Sequence, residues 1–464
     1  MSTSDVAPTF TSLPIRSELT STVASIGYSA MTPVQTNCLP LILDGRDVIA
    51  QAETGSGKTA AFAIGLLNKL DLKNYNTQSL VLCPTRELAD QVAGVIRQLS
   101  AAMANTKVLT LCGGKPMQSQ LASLQRSPHI VVGTPGRVLN HLKKESLNVS
   151  DVQVAVLDEA DRMLDMGFHE DISSIFSYLD SARQTLLFSA TFPESIQKIS
   201  ADVQRDPVEI SVDSASDSRA ISQVFYEVEE DKKIQSLVSV LQHYEPASCI
   251  VFCNQKITCR QLAEKLAEQG FYALELHGDL DQYQRDQALV QFDNRSCSLL
   301  VATDVAARGL DIEELGAVIN YDVTPDPEVH VHRIGRTGRA GRSGLAITLW
   351  QSDDANRVEA IEMYQNLTVE KKKISALARS KAGLVKPQMV TLQIRSGRKE
   401  KIRPGDILGA LTANSGLSGD QIGKITIGDK TSFVAVKREI AQLALRTVCD
   451  GKIKGKKTRA TLLS

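Results

Sequence analysis

The chain has 464 residues, 42% of them hydrophobic, with a formal net charge of −1. That length supports two or three domains with full cores and excludes a disordered or fibrous chain. No apolar run approaches a membrane span, and "MSTSDVAPTF" at the N-terminus lacks the basic start and apolar stretch of a leader, so a cytoplasmic protein without membrane attachment is expected. The near-zero charge conceals an asymmetry: from Gln388 onward 15 Lys and Arg face 6 Asp and Glu, which leaves 37 against 47 before it. A basic tail on an acidic body points to docking on a polyanion. The eight cysteines are scattered through strand-like runs such as "LVLCP" and "CIVFCN", without C-x-x-C or metal-ligand spacing, and read as reduced core residues.

In chain order, short Val/Ile/Leu runs alternate with helical patterns. "DVIAQA", "SLVLCP", "VLTLCG", "HIVVGTP", "VAVLDEA" and "TLLFSAT" come first, and "SCIVFCN", "ALELHG", "SLLVATD", "AVINYD" and "LAITLW" follow. Near-continuous apolar strands separated by helices mean parallel sheets covered on both faces. The polar stretch "SVDSASDSRAIS" interrupts the series and reads as a linker, which splits the body near residue 215 into α/β domains at 1–210 and 221–368. A charged, helix-prone connector, "VEKKKISALARSKAGLVKP", leads to a third domain at 388–464. Its segments "MVTLQIRS", "GDILGALTAN", "IGKITIG", "SFVAVK", "REIAQLALRTV" and "RATLLS" read β-α-β-β-α-β, a small RNA-recognition-type sandwich. Aromatic residues that could stack bases on its central strands are nearly absent, Phe433 being the main candidate.

After the first strand comes "AETGSGKT" and then a helical run. The small residues of this loop, Thr54, Gly55, Ser56 and Gly57, let the backbone fold around phosphate oxygens, while Lys58 reaches the β/γ-phosphates and Thr59 holds Mg²⁺. Ala52 stands where the general pattern has its first Gly. A second strand end, in "VLDEADRMLDMGF", gathers Asp158, Glu159 and Asp161, three carboxylates costly to bury unless a cation waits there. In a P-loop fold Asp158 would order the Mg²⁺ and Glu159 would polarise the attacking water.

The set "ETGSGKT", "PTRELA" (84–89), "GG" (113–114), "TPGR" (134–137), "DEAD" (158–161), "SAT" (189–191), "VATDVAARGLD" (301–311) and "HRIGRTGR" (332–339) resembles the DEAD-box ATP-dependent RNA helicases across both body domains. The resemblance implies two tandem RecA-like domains and an RNA-dependent ATPase using ATP and Mg²⁺. It also implies that "GYSAMTPVQ" reads adenine, with Tyr28 stacking on the base, Gln35 bonding its edge, and Phe10, 17 residues before Gly27, as the upstream aromatic. An amide offers one donor and one acceptor, which suits adenine and not guanine. By the same resemblance Arg336 and Arg339 are arginine fingers with His332 beside them, and Gly309 and Asp311 approach the nucleotide, Asp311 at the ribose. Implied RNA contacts are Pro84, Thr85, Arg86, Gly114, Thr134, Gly136 and Arg137 on the first domain, and Gln282, Arg285 and Thr303 on the second. Ser189, in "SAT", is expected to hydrogen-bond Asp161.

The tail, with "RPGDILGAL", "IGKI" and "DGKIKGKK", resembles the RNA-binding domain of the bacterial DbpA subgroup. That resemblance implies 23S rRNA, at hairpin 92, and large-subunit precursor particles as the target, and Lys452, Lys454, Lys456 and Lys457 offer phosphate contacts. A monomer is expected. A generic basic solubilising tail, an ATP-gated RNA clamp with little strand separation, and a DNA helicase are the alternatives the sequence leaves open.

Overall fold

The computed structural model describes residues 8–52, 55–211, 221–307, 315–338, 344–377, 386–413 and 416–463. Seven strands, β1 (Val48–Gln51), β2 (Ser79–Leu82), β3 (Val108–Leu111), β4 (Ile130–Gly133), β5 (Val154–Asp158), β6 (Gln184–Ser189) and β7 (Val208–Ser211), form a parallel sheet in the order β3-β4-β2-β5-β6-β1-β7. Strand residues alternate between two cores. Val48 and Ala50 enter one and Ile49 the other, as Val81 opposes Leu80 and Leu82. Burial on both faces is why these strands read as unbroken apolar runs.

A second parallel sheet holds β8 (Ile221–Glu227), β9 (Cys249–Cys253), β10 (Ala273–Leu276), β11 (Leu299–Thr303), β12 (Ala317–Asn320), β13 (Gly344–Trp350) and β14 (Glu370–Lys373), in the order β10-β11-β9-β12-β13-β8-β14. Strand for strand, this repeats the connectivity of the first sheet, so one architecture occurs twice. Sequence reading missed β7, β8 and β14. The connector expected to be helical begins instead as β14, a Glu-Lys-Lys-Lys edge strand whose pairing with β8 is set by neighbours and not by apolar content.

The tail is a four-stranded antiparallel sheet, β15 (Met389–Ile394), β16 (Ile422–Ile427), β17 (Ser432–Lys437) and β18 (Ala460–Leu463), ordered β16-β17-β15-β18. Helices Pro404–Thr412 and Ala441–Asp450 cover one face through Leu392, Ile394, Val434 and Val436. By contact density the chain divides into two compact units, the first carrying the first sheet and the second carrying the other two. Within the second unit, the other face of the tail sheet lies on the helix Gln282–Asp293 and the turn after it. Thr391 Oγ1 accepts from Asn294 Nδ2 at 3.1 Å and meets Ser296 Oγ at 2.6 Å, while Lys424 pairs with Asp293 at 2.7 Å. The Arg438 guanidinium covers the Tyr272 ring at 4.7 Å. Phe433, the main aromatic candidate in a sheet where base stacking is not expected, is only 7% exposed because it sits on this covered face, and it is not available to a base.

Of the eight cysteines, seven are buried and Cys449 is half-buried. Among the described residues, no helix is long and apolar enough to cross a membrane.

The seam between tail and second sheet is polar and fully buried at Thr391, so its hydroxyl matters more than its methyl. Thr391→Val should cost about 1–3 kcal/mol of tail stability by leaving Asn294 Nδ2 without its acceptor, while Ser296 Oγ keeps its bond to Gln291 O; this should read as lost hydrogen-exchange protection along β15, whereas Thr391→Ser should keep most of it.

Candidate active site and nucleic-acid interface

β1 runs into the phosphate loop, and the helix Lys58–Lys69 starts directly after it. Thr54 lies outside the described residues. Gly57 has φ 89°, and a Cβ there would meet Gln35 Nε2 at 2.6 Å and Thr32 Oγ1 at 2.9 Å. Only glycine fits that approach. Gln35 itself is buried: its Nε2 donates to Gly57 O at 3.1 Å, and its Oε1 accepts from Thr32 N at 2.9 Å in a capping box. One amide proton and one oxygen lone pair remain for an adenine edge. Phe10 is buried in the first core, and its ring lies 6.4 Å from that of Tyr28 at an interplanar angle of 26°. Tyr28 is the exposed member, with Phe10 behind it.

Lys58 Nζ stands 3.6 Å from Asp158 Oδ1, with both side chains buried. At that separation no hydrogen bond forms, and neither Lys58 Nζ nor either Asp158 oxygen has a hydrogen-bond partner among the described residues. Burial pushes the Asp158 carboxyl up to about 6; Lys58 opposes the shift and Glu159 adds to it. Such orphaned groups fit a site whose missing partners are phosphate oxygens and the water shell of Mg²⁺, with Thr59 at the second position of the adjacent helix.

Glu159 starts the next helix in the left-handed region, φ 55° and ψ 55°. Holding a non-glycine residue there costs of order 1–3 kcal/mol. Its carboxylate pairs with Arg162 at 3.2 Å, one helical turn on, a partner that sequence reading did not assign although the i, i+3 spacing was visible. Asp161 ties β5 to the end of β6, but not through Ser189 as expected: Asp161 Oδ2 accepts from Ala190 N at 3.0 Å, Thr191 N at 3.1 Å and Thr191 Oγ1 at 3.2 Å. Ser189 Oγ is fully buried, with no hydrogen-bond partner among the described residues.

The other first-domain candidates gather at the carboxyl ends of β2, β3 and β4, where ligands bind in open parallel sheets. Pro84 and Thr85 lead into the helix Arg86–Leu99, which Thr85 caps by accepting from Leu88 N. Gly114, at φ 74°, leaves room for Arg86: a Cβ would collide with the guanidinium. Thr134 and Gly136 open the helix Pro135–Lys143, and Arg137 is fixed by donating to Gln120 Oε1 at 2.9 Å and to Lys115 O at 3.1 Å. Gln120 in turn bonds His141, whose imidazole is held neutral by burial and by Arg137.

In the second sheet Thr303 ends β11, and Gln282 and Arg285 lie in the first turn of the helix Gln282–Asp293. His332 is in the helix Pro327–Ile334, and Arg336 follows its end, buried. Gly309, Asp311 and Arg339 lie outside the described residues. Sequence reading passed over Arg333, which is buried and bonded at every donor nitrogen. It grips Asp304 at 2.6 and 2.7 Å, and donates to Asp322 O and Asn254 Oδ1, both at 2.8 Å. One turn earlier, His330 is pushed down to about 3 by burial and by Arg333, so it bonds Asn320 and Gln223 as a neutral ring.

Comparison with known proteins agrees with this layout. The chain matches the DEAD/DEAH box helicase family over residues 32–199, the helicase conserved C-terminal domain over 232–341, and the DbpA RNA binding domain over 391–462. It is 51% identical to the ATP-dependent RNA helicase DbpA of Escherichia coli over 94% of this chain and 95% of that one. This chain is a DEAD-box ATP-dependent RNA helicase of the DbpA type. The helicase is 36% identical to the Bacillus subtilis DbpA over 97% of its length and 98% of the relative's. Saccharomyces cerevisiae Dbp5 bound to RNA and ADP BeF3 superposes with a TM-score of 0.73 at 29% identity, covering 79% of the helicase and 96% of Dbp5.

The helicase's tail has one strongly basic end. The turn after the helix Ala441–Asp450 closes between Ile453 and Lys456, with positive φ at Lys454 and Gly455, as a tight hairpin turn requires. Lys452, Lys456 and Lys457 are exposed there, while Lys454 Nζ donates to Lys401 O at 2.8 Å. Backbone bonds from Arg395 to Arg459 and from Lys399 to Asp429 bring the loop after β15 and the β16–β17 turn to this end.

The raised Asp158 carboxyl makes its ionisation a cost to the nucleotide-free fold. A folded-state value of about 6 against the ordinary 3.8 means that this cost is absent at low pH and grows as pH rises through that window. Asp158→Asn should therefore raise the unfolding free energy of the nucleotide-free helicase at pH 7.5 by up to about 3 kcal/mol, seen as a higher melting temperature, and this gain should shrink as pH falls from 6 toward 4.

Proposed function

We propose that this helicase locally separates short rRNA helices, directed by its tail to 23S rRNA at hairpin 92 in large-subunit precursors, as a cytoplasmic monomer. The observation that carries the targeting half is the basic end of the tail, where Lys452, Lys456 and Lys457 stand exposed beside the loops that bear Arg398 and Lys399. Its domains divide as 1–210, 221–368 and 388–464.

In this reading Gln35 and Tyr28, backed by Phe10, select adenine, and the phosphate loop with Lys58 holds the β- and γ-phosphates. Thr59, and Asp158 through water, would hold Mg²⁺, which would supply positive charge to the phosphoryl oxygens. Glu159 accepts a proton from the attacking water, released from Arg162 when the cluster rearranges around nucleotide. Arg336 and Arg339, with His332 beside them, stabilise charge developing in the transition state, and Gly309 and Asp311 approach the nucleotide. Pro84, Thr85, Arg86, Gly114, Thr134, Gly136 and Arg137, with Gln282, Arg285 and Thr303, hold the RNA backbone. Ligands gripped by both helicase domains favour the same closed form, so ATP and RNA tighten each other's binding. Base-pair steps cost roughly 1–2 kcal/mol each, which limits one closure to about five pairs.

Glu159→Gln should keep nucleotide binding and abolish turnover, because the amide preserves shape but accepts no proton. A steady-state ATPase assay with saturating RNA should read near zero while nucleotide affinity stays close to wild type.

Replacing Lys452, Lys456 and Lys457 together with Glu should leave maximal ATPase intact. The rRNA concentration for half-activation should rise at least tenfold, and the salt dependence of that constant should flatten. An unchanged half-activation concentration would show that the targeting surface lies elsewhere on the tail.

A further inference from the structure

The seam between the helicase domain and the tail carries an aromatic residue that neither the family comparison nor the catalytic reading uses. Tyr283 lies in the first turn of the helix Gln282–Asp293, between Gln282 and Arg285, and is 53% exposed. Its hydroxyl is nonetheless tied down: Gln393 Nε2 of β15 donates to it at 2.5 Å and Gln287 Nε2 at 3.0 Å. Gln287 Nε2 also reaches Gln393 Oε1 at 3.4 Å, which closes a ring of one phenol and two amides. Tyr283, Gln287 and Asn294 form the stripe of this helix that faces the tail, with Tyr283 at its solvent end.

An exposed tyrosine is ordinarily unremarkable. This one is different because its polar tip is fixed across a domain seam while its ring stays open to solvent. Side chains fixed in this way lose little freedom when a flat partner arrives. The tail itself cannot supply such a surface, since Phe433, directly opposite Gln393 in the β15–β17 ladder, is covered; on the helicase side of the seam, Tyr272 is capped by Arg438 of the tail.

We propose that Tyr283 is a stacking platform for one unpaired RNA base, placed where the strand held by the helicase domain passes the tail. This rests on the reading that Gln282 and Arg285 contact the RNA backbone. A base on the ring adds affinity without sequence preference, because every base has a π-face.

The test uses the full-length protein with a nonhydrolysable ATP analogue and oligouridine strands, each carrying a single 2-aminopurine moved one position at a time. In the wild type one position should show quenched fluorescence. Tyr283→Ala should remove that signature and weaken RNA binding about 5–100-fold, with ATPase at saturating RNA unchanged. Tyr283→Phe, which keeps the ring and loses the tie, should retain the quenching. If Phe behaves like Ala, the hydroxyl tie and not stacking is what matters, and the proposal fails. If Tyr283→Ala changes nothing while Arg285→Ala weakens binding, stacking is wrong and the backbone path stands. If neither variant weakens binding, both are wrong.

Discussion

A buried lysine and aspartate held at 3.6 Å, with no hydrogen-bond partner among the described residues, is the constraint around which the first domain is arranged. Removing ions from water costs several kcal/mol each even after relaxation, so the pair persists only because two apolar cores fix the ends of β1 and β5 from both sides. The surrounding bonds all resist collapse of that gap. Gln35 braces the phosphate loop from the side, and Asp161 pins the strand end to its neighbour. The second domain shows the contrast. Its buried Arg333 meets a partner at every donor atom, two of them on one carboxylate. A saturated buried charge serves as scaffolding, whereas an unsaturated one reserves a place for a ligand.

How much of this was legible depended on whether a feature is carried by composition or by neighbours. The apolar strands were plain, because double burial leaves no polar alternation to confuse the reading. β14 was not, since Glu370–Lys373 is a strand only by virtue of β8 beside it, and β8 itself begins inside a stretch whose Ser and Asp content reads as linker. The phosphate loop and the acidic strand end were legible as chemistry, and the remaining site residues only through the family resemblance. Ser189 was misassigned because backbone amides do the bonding that its hydroxyl was expected to do, and a sequence does not show which amides point where. That base stacking on the tail sheet is not expected was legible from its scarcity of aromatics, but the covering of Phe433 was not, because its exposure is decided by a different domain.

That second domain also determines how the tail can be used. A four-stranded sheet has two faces, and here helices occupy one and the helicase domain the other. The rim of loops stays open to solvent, and Lys452, Lys456 and Lys457 stand exposed there. The polar character of the seam, built from hydroxyls, amides and one ion pair, lets the opposing helix remain soluble whenever the two separate.

The buried cysteines give the molecule a further property. Burial pushes the thiols of Cys38, Cys112, Cys259 and Cys297 up to about 12, and the same cause raises Cys83, Cys249 and Cys253. A thiol that does not ionise is neither a nucleophile nor an easy target for peroxide or alkylating agents. Redox chemistry therefore has little purchase on these seven thiols in the folded chain, and their becoming reactive marks the moment a domain opens.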